Sequence, residues 1–253
     1  MATASDIAAF CDELLDSDGF GDYCPNGIQV PGTGEVQTVV TGVSANLELI
    51  ERALAAEAQL IVVHHGLFWD GQPRSLDERT AGRLRPLLAA GAALAGYHLP
   101  LDAHPEIGNN ALLCRELGFT VAEERFSAIQ GRPIGIVGRH AEGVPIDELI
   151  ERVGTAVDRP PLHQGAGPHR VRSVGVVTGA GASAIHEASG LGLDLLLTGE
   201  PSEYVMADAT ETGIHVLAAG HWATETFGVR ALGDRIAQRF GVEHRFVAVP
   251  NPV

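Results

Sequence analysis

Histidine and carboxylate recur in three short stretches with the same kind of surroundings: Val63-His64-His65-Gly66, Tyr97-His98-Leu99-Pro100-Leu101-Asp102 and Ala219-Gly220-His221-Trp222-Ala223-Thr224-Glu225. Imidazole nitrogen and carboxylate oxygen, unaccompanied by thiolate, are donors that Zn, Fe, Mn and Co all accept, so two divalent ions per chain are expected and their identity stays open. His64, His65, Asp102, His221 and Glu225 are the candidate ligands. Three imidazoles and two carboxylates give each of two ions about three protein ligands if one carboxylate is shared, which leaves positions open for water or substrate. Glu225 is the candidate bridge, because a carboxylate has two oxygens to offer and a neutral imidazole one free nitrogen. His98 is read as a sixth ligand, a supporting hydrogen-bond donor or a proton shuttle, with the outer roles preferred.

Each stretch also has a plainer reading. Adjacent histidines on a continuing strand point to opposite faces, so His64 and His65 alone would more often be one core and one surface residue; a strand that ends at Gly66 lets both diverge toward neighbouring ions. His221 and Glu225 are four apart at the start of an expected helix, which stacks them on one face, although a glutamate in a first helical turn also serves the helix dipole. Asp102 follows Pro100, and the proline is expected to keep that stretch extended. Thr198-Gly199-Glu200, followed by Ser202 and Glu203, ends another apolar run and is a candidate lining of the same crevice; capping of the helix after Pro201 is the preferred single role of Thr198 and Ser202. Gly179 and Gly181 need no more than a tight turn.

What must position these groups is a set of buried strands. Gln59 to Val63, Ala92 to Tyr97 and Ile214 to Ala219 are short and apolar, and each delivers its chemistry just past its end. Open α/β sheets build ligand crevices there. Around them the pattern predicts helices at 5–15, 46–57, 78–90, 106–117, 146–154, 181–189, 202–212 and 222–240. Strands are predicted at 37–43, 171–177, 193–198 and 244–249, extended segments at 121–140, and a surface loop at 158–170. The fold class is therefore α/β: two similar α/β domains, each a mainly parallel or mixed sheet flanked by helices. The domains are expected to be residues 1–125, with His64, His65 and Asp102, and residues 126–253, with His221 and Glu225.

With 253 residues and 45% hydrophobic content the chain can bury a sizeable core. All 17 of its basic residues are arginine, and the formal net charge of −15 disfavours a protein that coats nucleic acid. Cys11, Cys24 and Cys114 share no metal-ligand spacing, and an odd count with no leader suggests the cytoplasm rather than an exported disulfide framework. No uncharged apolar run reaches membrane-spanning length.

These blocks resemble the Nif-three-like family of dinuclear-metal hexamers, whose members bear the name GTP cyclohydrolase 1 type 2 homolog. The resemblance is carried by Val63 to Trp69, Tyr97 to Asp102 followed by Gly108-Asn109-Asn110, Thr198-Gly199-Glu200, Ala219 to Glu225 and the terminal Pro250-Asn251-Pro252. It implies that His65 and Asp102 hold one ion and His64 and His221 the other, with Glu225 bridging, inside a ring-shaped homohexamer. Ser44, Trp222 and Thr226 depart from what relatives often carry, which bears on substrate selection.

The resulting expectation is a metal-dependent hydrolase acting on a small molecule such as a nucleotide. Taken literally, the family name implies hydrolytic opening of the guanine imidazole ring at C8, with His98 or Glu200 transferring the proton. Two other readings keep the same ligands: a non-catalytic or regulatory metal-holding ring, and a nucleotide phosphoesterase. No Walker loop or basic triphosphate clamp is present in the sequence.

Overall fold

The computed structural model describes residues 2–253. In chain order the elements are α1 (Ala4–Leu15), β1 (Gly27–Val30), β2 (Thr38–Ser44), α2 (Leu47–Ala55), β3 (Leu60–His65), α3 (Glu78–Ala90), β4 (Ala93–Gly96), α4 (Leu99–Ala103), α5 (Asn109–Glu116), β5 (Thr120–Ile129), β6 (Arg132–Pro145), α6 (Ile146–Ala156), β7 (Leu162–Gly165), β8 (Arg170–Val177), α7 (Ile185–Gly190), β9 (Leu195–Thr198), α8 (Val205–Thr212), β10 (His215–Ala218), α9 (His221–Thr224), α10 (Thr226–Phe240) and β11 (Glu243–Phe246). Helix starts follow local chemistry. Asn46 accepts from the Leu49 amide to cap α2, and Asp77 accepts from Thr80 to cap α3.

The contacts divide the chain into two compact units. One comprises residues up to Leu101 together with Gly228–Val249; the other comprises Asp102–Phe227 and Pro250–Val253. This division differs from a seam at 125/126, for two reasons visible in the pairing. The hairpin of β5 and β6 is zipped onto β8, which draws the preceding helix α5 into the second unit, and β11 returns to pair in parallel with β2 of the first.

In the first unit the strand order is β1-β4-β3-β2-β11. The last four run parallel and β1 antiparallel. Helices α2 and α3 press Leu49, Ile50, Ala53 and Leu87 onto Val40, Ile61, Val63 and Leu94, all essentially buried. In the second unit the order is β5-β6-β8-β9-β10-β7, with β8, β9 and β10 parallel and the rest antiparallel. Its core joins Leu113, Leu117 and Leu149 to Val174, Val176, Leu195, Leu197 and Leu217. Both sheets are thus mixed with a parallel centre, and each is flanked by helices, as the alternation of apolar runs implies.

Four local expectations are corrected. Residues 99–103 form α4 rather than an extended stretch: Pro100 lies in the first turn, where a missing amide donor costs nothing. The supposed loop at 158–170 contains β7, an edge strand antiparallel to β10. The helix expected over 222–240 is interrupted at Glu225, whose φ of −103° and ψ of 8° end α9 before α10 begins. The fourth concerns Thr198: its hydroxyl donates to the Gly179 carbonyl and accepts from the Gly181 amide, and α8 has no side-chain cap. Among the described residues no helix is long and apolar enough to cross a membrane.

Candidate functional site

In the first unit the chemistry gathers at the carboxyl ends of adjacent parallel strands. His64 and His65 are the last two residues of β3, and His98 follows β4. Pairing sets their partners: Val63 lies opposite Gly96, which puts His64 beside Tyr97, and Ser44 lies opposite His65. Accordingly His64 Nδ1 is 2.9 Å from the Tyr97 carbonyl oxygen, and His65 Nδ1 is 3.1 Å from Ser44 Oγ. Donor nitrogens of His64, His65 and His98 fall within 4.8 Å of one another, and His64 is wholly buried. Trp69 walls the group, its ring centre 5.8 Å from that of His65 and 5.1 Å from that of His98. Its indole donates to the Gly66 carbonyl, and Gln29 on β1 accepts from the Leu67 amide, so the turn after β3 is pinned from two directions.

His98 has a carboxylate behind it. Asp22 Oδ1 lies 2.7 Å from His98 Nδ1, while Asp22 also accepts from the Leu99 and Tyr23 amides and from Asn26 Nδ2. Burial works to raise the Asp22 pKa, but His98 and these donors outweigh it and hold the carboxyl below its usual range. With Nδ1 engaged by Asp22, Nε2 is the nitrogen His98 presents elsewhere.

In the second unit three parallel strands end in register, since Val177 pairs with Thr198 and Thr198 with Ala218. Beyond each end comes a glycine, and the three loops stack. The Gly199 and Glu200 amides both donate to the Gly179 carbonyl, and the Gly220 amide donates to the Gly199 carbonyl. The spacing is so close that a Cβ on Gly179 would lie 2.4 Å from Glu225 Oε1, and one on Gly199 would lie 2.8 Å from His221 Cα. Gly179 also has φ of +66°. Its role is thus to leave room for the Glu225 carboxylate as well as to turn the chain.

The donors meet on this stack. His221 Nε2 is 3.1 Å from Glu225 Oε1, and His221 Nδ1 is 2.5 Å from Glu200 Oε1. Glu225 and Asp102 are both buried, and their carboxylate oxygens approach within 4.8 Å of one another. Asp102 Oδ1 accepts from Asn109 Nδ2 at 2.8 Å and from Thr178 Oγ1 at 3.3 Å. Burial alone would depress the His221 pKa, but Glu225 and Glu200 override it and hold the imidazole at about 9. Such a group could hold a cation.

The donor chemistry fits divalent metal. Each group sets imidazole nitrogen or carboxylate oxygen beyond a strand end with its hydrogen-bond support in place. The three buried cysteines favour the thiol over the thiolate. Burial pushes the thiols of Cys11 and Cys114 up to about 12, and it raises Cys24 as well.

The sequence profile of the Duf34/NIF3 (NGG1p interacting factor 3) family matches residues 2–252. The chain belongs to the Duf34/NIF3 family. It is 44% identical over 252 residues to a GTP cyclohydrolase 1 type 2 homolog of Allochromatium vinosum, with 100% of this chain and 98% of the relative covered. It is 42% identical over 253 residues to one from Pseudomonas aeruginosa, with both chains fully covered. Among solved structures, the protein ybgI, described as of unknown function, superposes with a TM-score of 0.94 at 40% identity over 100% of both chains. TTHA1606 of Thermus thermophilus superposes with a TM-score of 0.89 at 34% identity, again with both chains fully covered.

Within this Duf34/NIF3 chain, the first unit brings together His64, His65 and His98 and the second Asp102, His221, Glu225 and Glu200; Asp102, expected in the N-terminal domain, falls in the second unit because the division comes just before it. Sequence reading missed their supports. Asp22 lies in an irregular segment with no motif spacing to mark it. Asn109 had a signal, the Gly108-Asn109-Asn110 block, whose buried amides now have a purpose: Asn109 orients Asp102, and Asn110 accepts from the Thr178 amide.

Proposed function

We propose that the protein is a dinuclear metal-dependent hydrolase in which His64, His65, Asp102, His221 and Glu225 hold two divalent ions and Glu225 is shared between them. The observation that carries this reading is that the first unit brings imidazole nitrogens, and the second an imidazole with carboxylates, beyond the carboxyl ends of their parallel strands, with no sulfur in either group. Chain connectivity supports it too: Asp102 follows His98 by only four positions, so the backbone keeps these two within about 14 Å. When bound, the ions supply Lewis acidity and bring the pKa of water toward neutrality.

The remaining work falls to side chains. His98, with Nδ1 held by Asp22, accepts or returns a proton at Nε2. Trp69 offers a flat apolar wall beside His65 and His98, suited to a planar ring. The substrate class we propose is a purine nucleotide, and the reaction is hydrolytic opening of the guanine imidazole ring, as the name borne by the relatives suggests. The proposed assembly is a cytoplasmic homohexamer, about six times the 26.5 kDa chain mass by light scattering.

The test is metal-replete protein presented with a nucleotide panel that includes GTP, with products identified by mass spectrometry. Ring-opened guanine nucleotide, lost in Glu225→Gln, supports the proposal. Release of phosphate instead would make the protein a phosphoesterase, and tightly held ions without turnover would make it a metal-holding ring.

A further inference from the structure

We propose that Glu200 is a positioning residue for His221, fixing which ring nitrogen faces the metal and strengthening that nitrogen as a ligand. This rests on the reading of His221 as a metal ligand. It gives Glu200 a role different from the proton transfer expected from the sequence.

The mount is built from backbone. Glu200 follows Gly199, and the amides of both donate to the same Gly179 carbonyl, at 2.8 Å and 2.9 Å respectively. Gly199 lies so close to His221 Cα that any side chain there would push the two loops apart. The Glu200 carboxylate is thereby delivered to His221 Nδ1, and the opposite nitrogen, Nε2, is left on the Glu225 side of the ring. A ligating imidazole whose second nitrogen donates to a carboxylate is held in one tautomer and one orientation, and it becomes a more basic ligand. His64 Nδ1 faces the Tyr97 carbonyl and His65 Nδ1 the Ser44 hydroxyl in the same place. His221 Nδ1 faces a carboxylate there, and the ion His221 holds is the one that depends on Glu200.

A plain ion pair at the surface makes a different prediction, since Glu200 is 36% exposed and such pairs contribute little. The full-length protein is titrated with Zn2+ against a chromophoric chelator, as wild type, Glu200→Gln, Glu200→Ala and His221→Ala, with thermal melting of each metal-free protein as the check on folding. The expected result is that both Glu200 variants weaken one ion by roughly 10–100-fold, the same ion that His221→Ala loses, while the other ion and the metal-free melting temperature stay near wild type. Unchanged binding of both ions overturns the inference, and so does an equal loss of both ions with a lowered melting temperature. If the wild type binds one ion and Glu200→Gln weakens it, the positioning role stands and the dinuclear reading falls. If the wild type binds none, both fall.

Discussion

The two groups of donors are built on the same principle and differ in the charge they carry. In the first unit, imidazoles at the ends of β3 and β4 meet Tyr97 O behind His64 and Ser44 Oγ behind His65, and the Asp22 carboxylate stands behind His98. In the second, a single imidazole lies among three carboxylates, Asp102, Glu200 and Glu225, on a stack of loops from which glycine has removed every obstructing Cβ. Parallel strand ends give position in both cases. Charge is what differs, so the second group supplies the attraction for a cation, and the first supplies directional nitrogen ligands.

That contrast is broken most severely at Glu225. Glu225→Gln removes the shared anion from a buried position, and the affinity for both ions should fall by more than the roughly 10–100-fold that losing a supporting residue costs; unchanged metal content in the purified variant would refute the bridge. Gly179→Ala comes next, because its methyl would lie 2.4 Å from Glu225 Oε1 at a φ of +66°. The left-handed backbone alone costs about 1–2 kcal/mol, and denaturant melts should show at least that loss together with weakened metal binding.

The two groups also fail on opposite sides of neutral pH in metal-free protein. The folded-state pKa of His221, about 9, lies above its unfolded value. Its contribution is therefore complete below about pH 6.5 and is lost as the pH rises through 9. Asp22 is shifted the other way, so its contribution is present above the ordinary carboxylate range and is lost on acidification. Urea melts of metal-free protein at stepped pH check both signs, and Zn2+ should flatten the alkaline limb because metal displaces the His221 proton.

Smaller effects sharpen the comparison within the first unit. Asp22→Asn should leave two ions in place and slow turnover about 10-fold through misoriented His98; loss of metal in this variant would make His98 a ligand. Smallest is Ser44→Ala, where losing a neutral hydroxyl should change Zn2+ affinity by no more than about 3-fold. Ser44→Asp should do the reverse, strengthening one ion by giving His65 the anionic backing that His221 already has.

Much of this was legible in the chain because strand ends announce themselves. The apolar runs before His64, His98 and His221 are short, bounded and non-periodic, and all three proved to be parallel strands delivering the expected residues. What escaped was whatever depends on tertiary neighbours. β7 is an edge strand among Pro160, Pro161, Gly165 and Gly167, so its composition reads as loop, and only pairing with β10 makes it a strand. Pro100 argued for extension, yet a first-turn position tolerates it in α4. Asp22 is brought to His98 from 76 residues away, and no local spacing encodes that approach. The glycines at 179 and 199 looked like turn formers, and their second role, as clearance beside Glu225 and His221, appears only once the loops are stacked.

The most direct test is elemental analysis of the purified protein combined with anomalous scattering from its crystals. Two ions per chain, ligated by His64, His65, Asp102, His221 and Glu225, is the predicted result. Protein that stays metal-free when purified with divalent cations present, or ions bound to other residues, would contradict it.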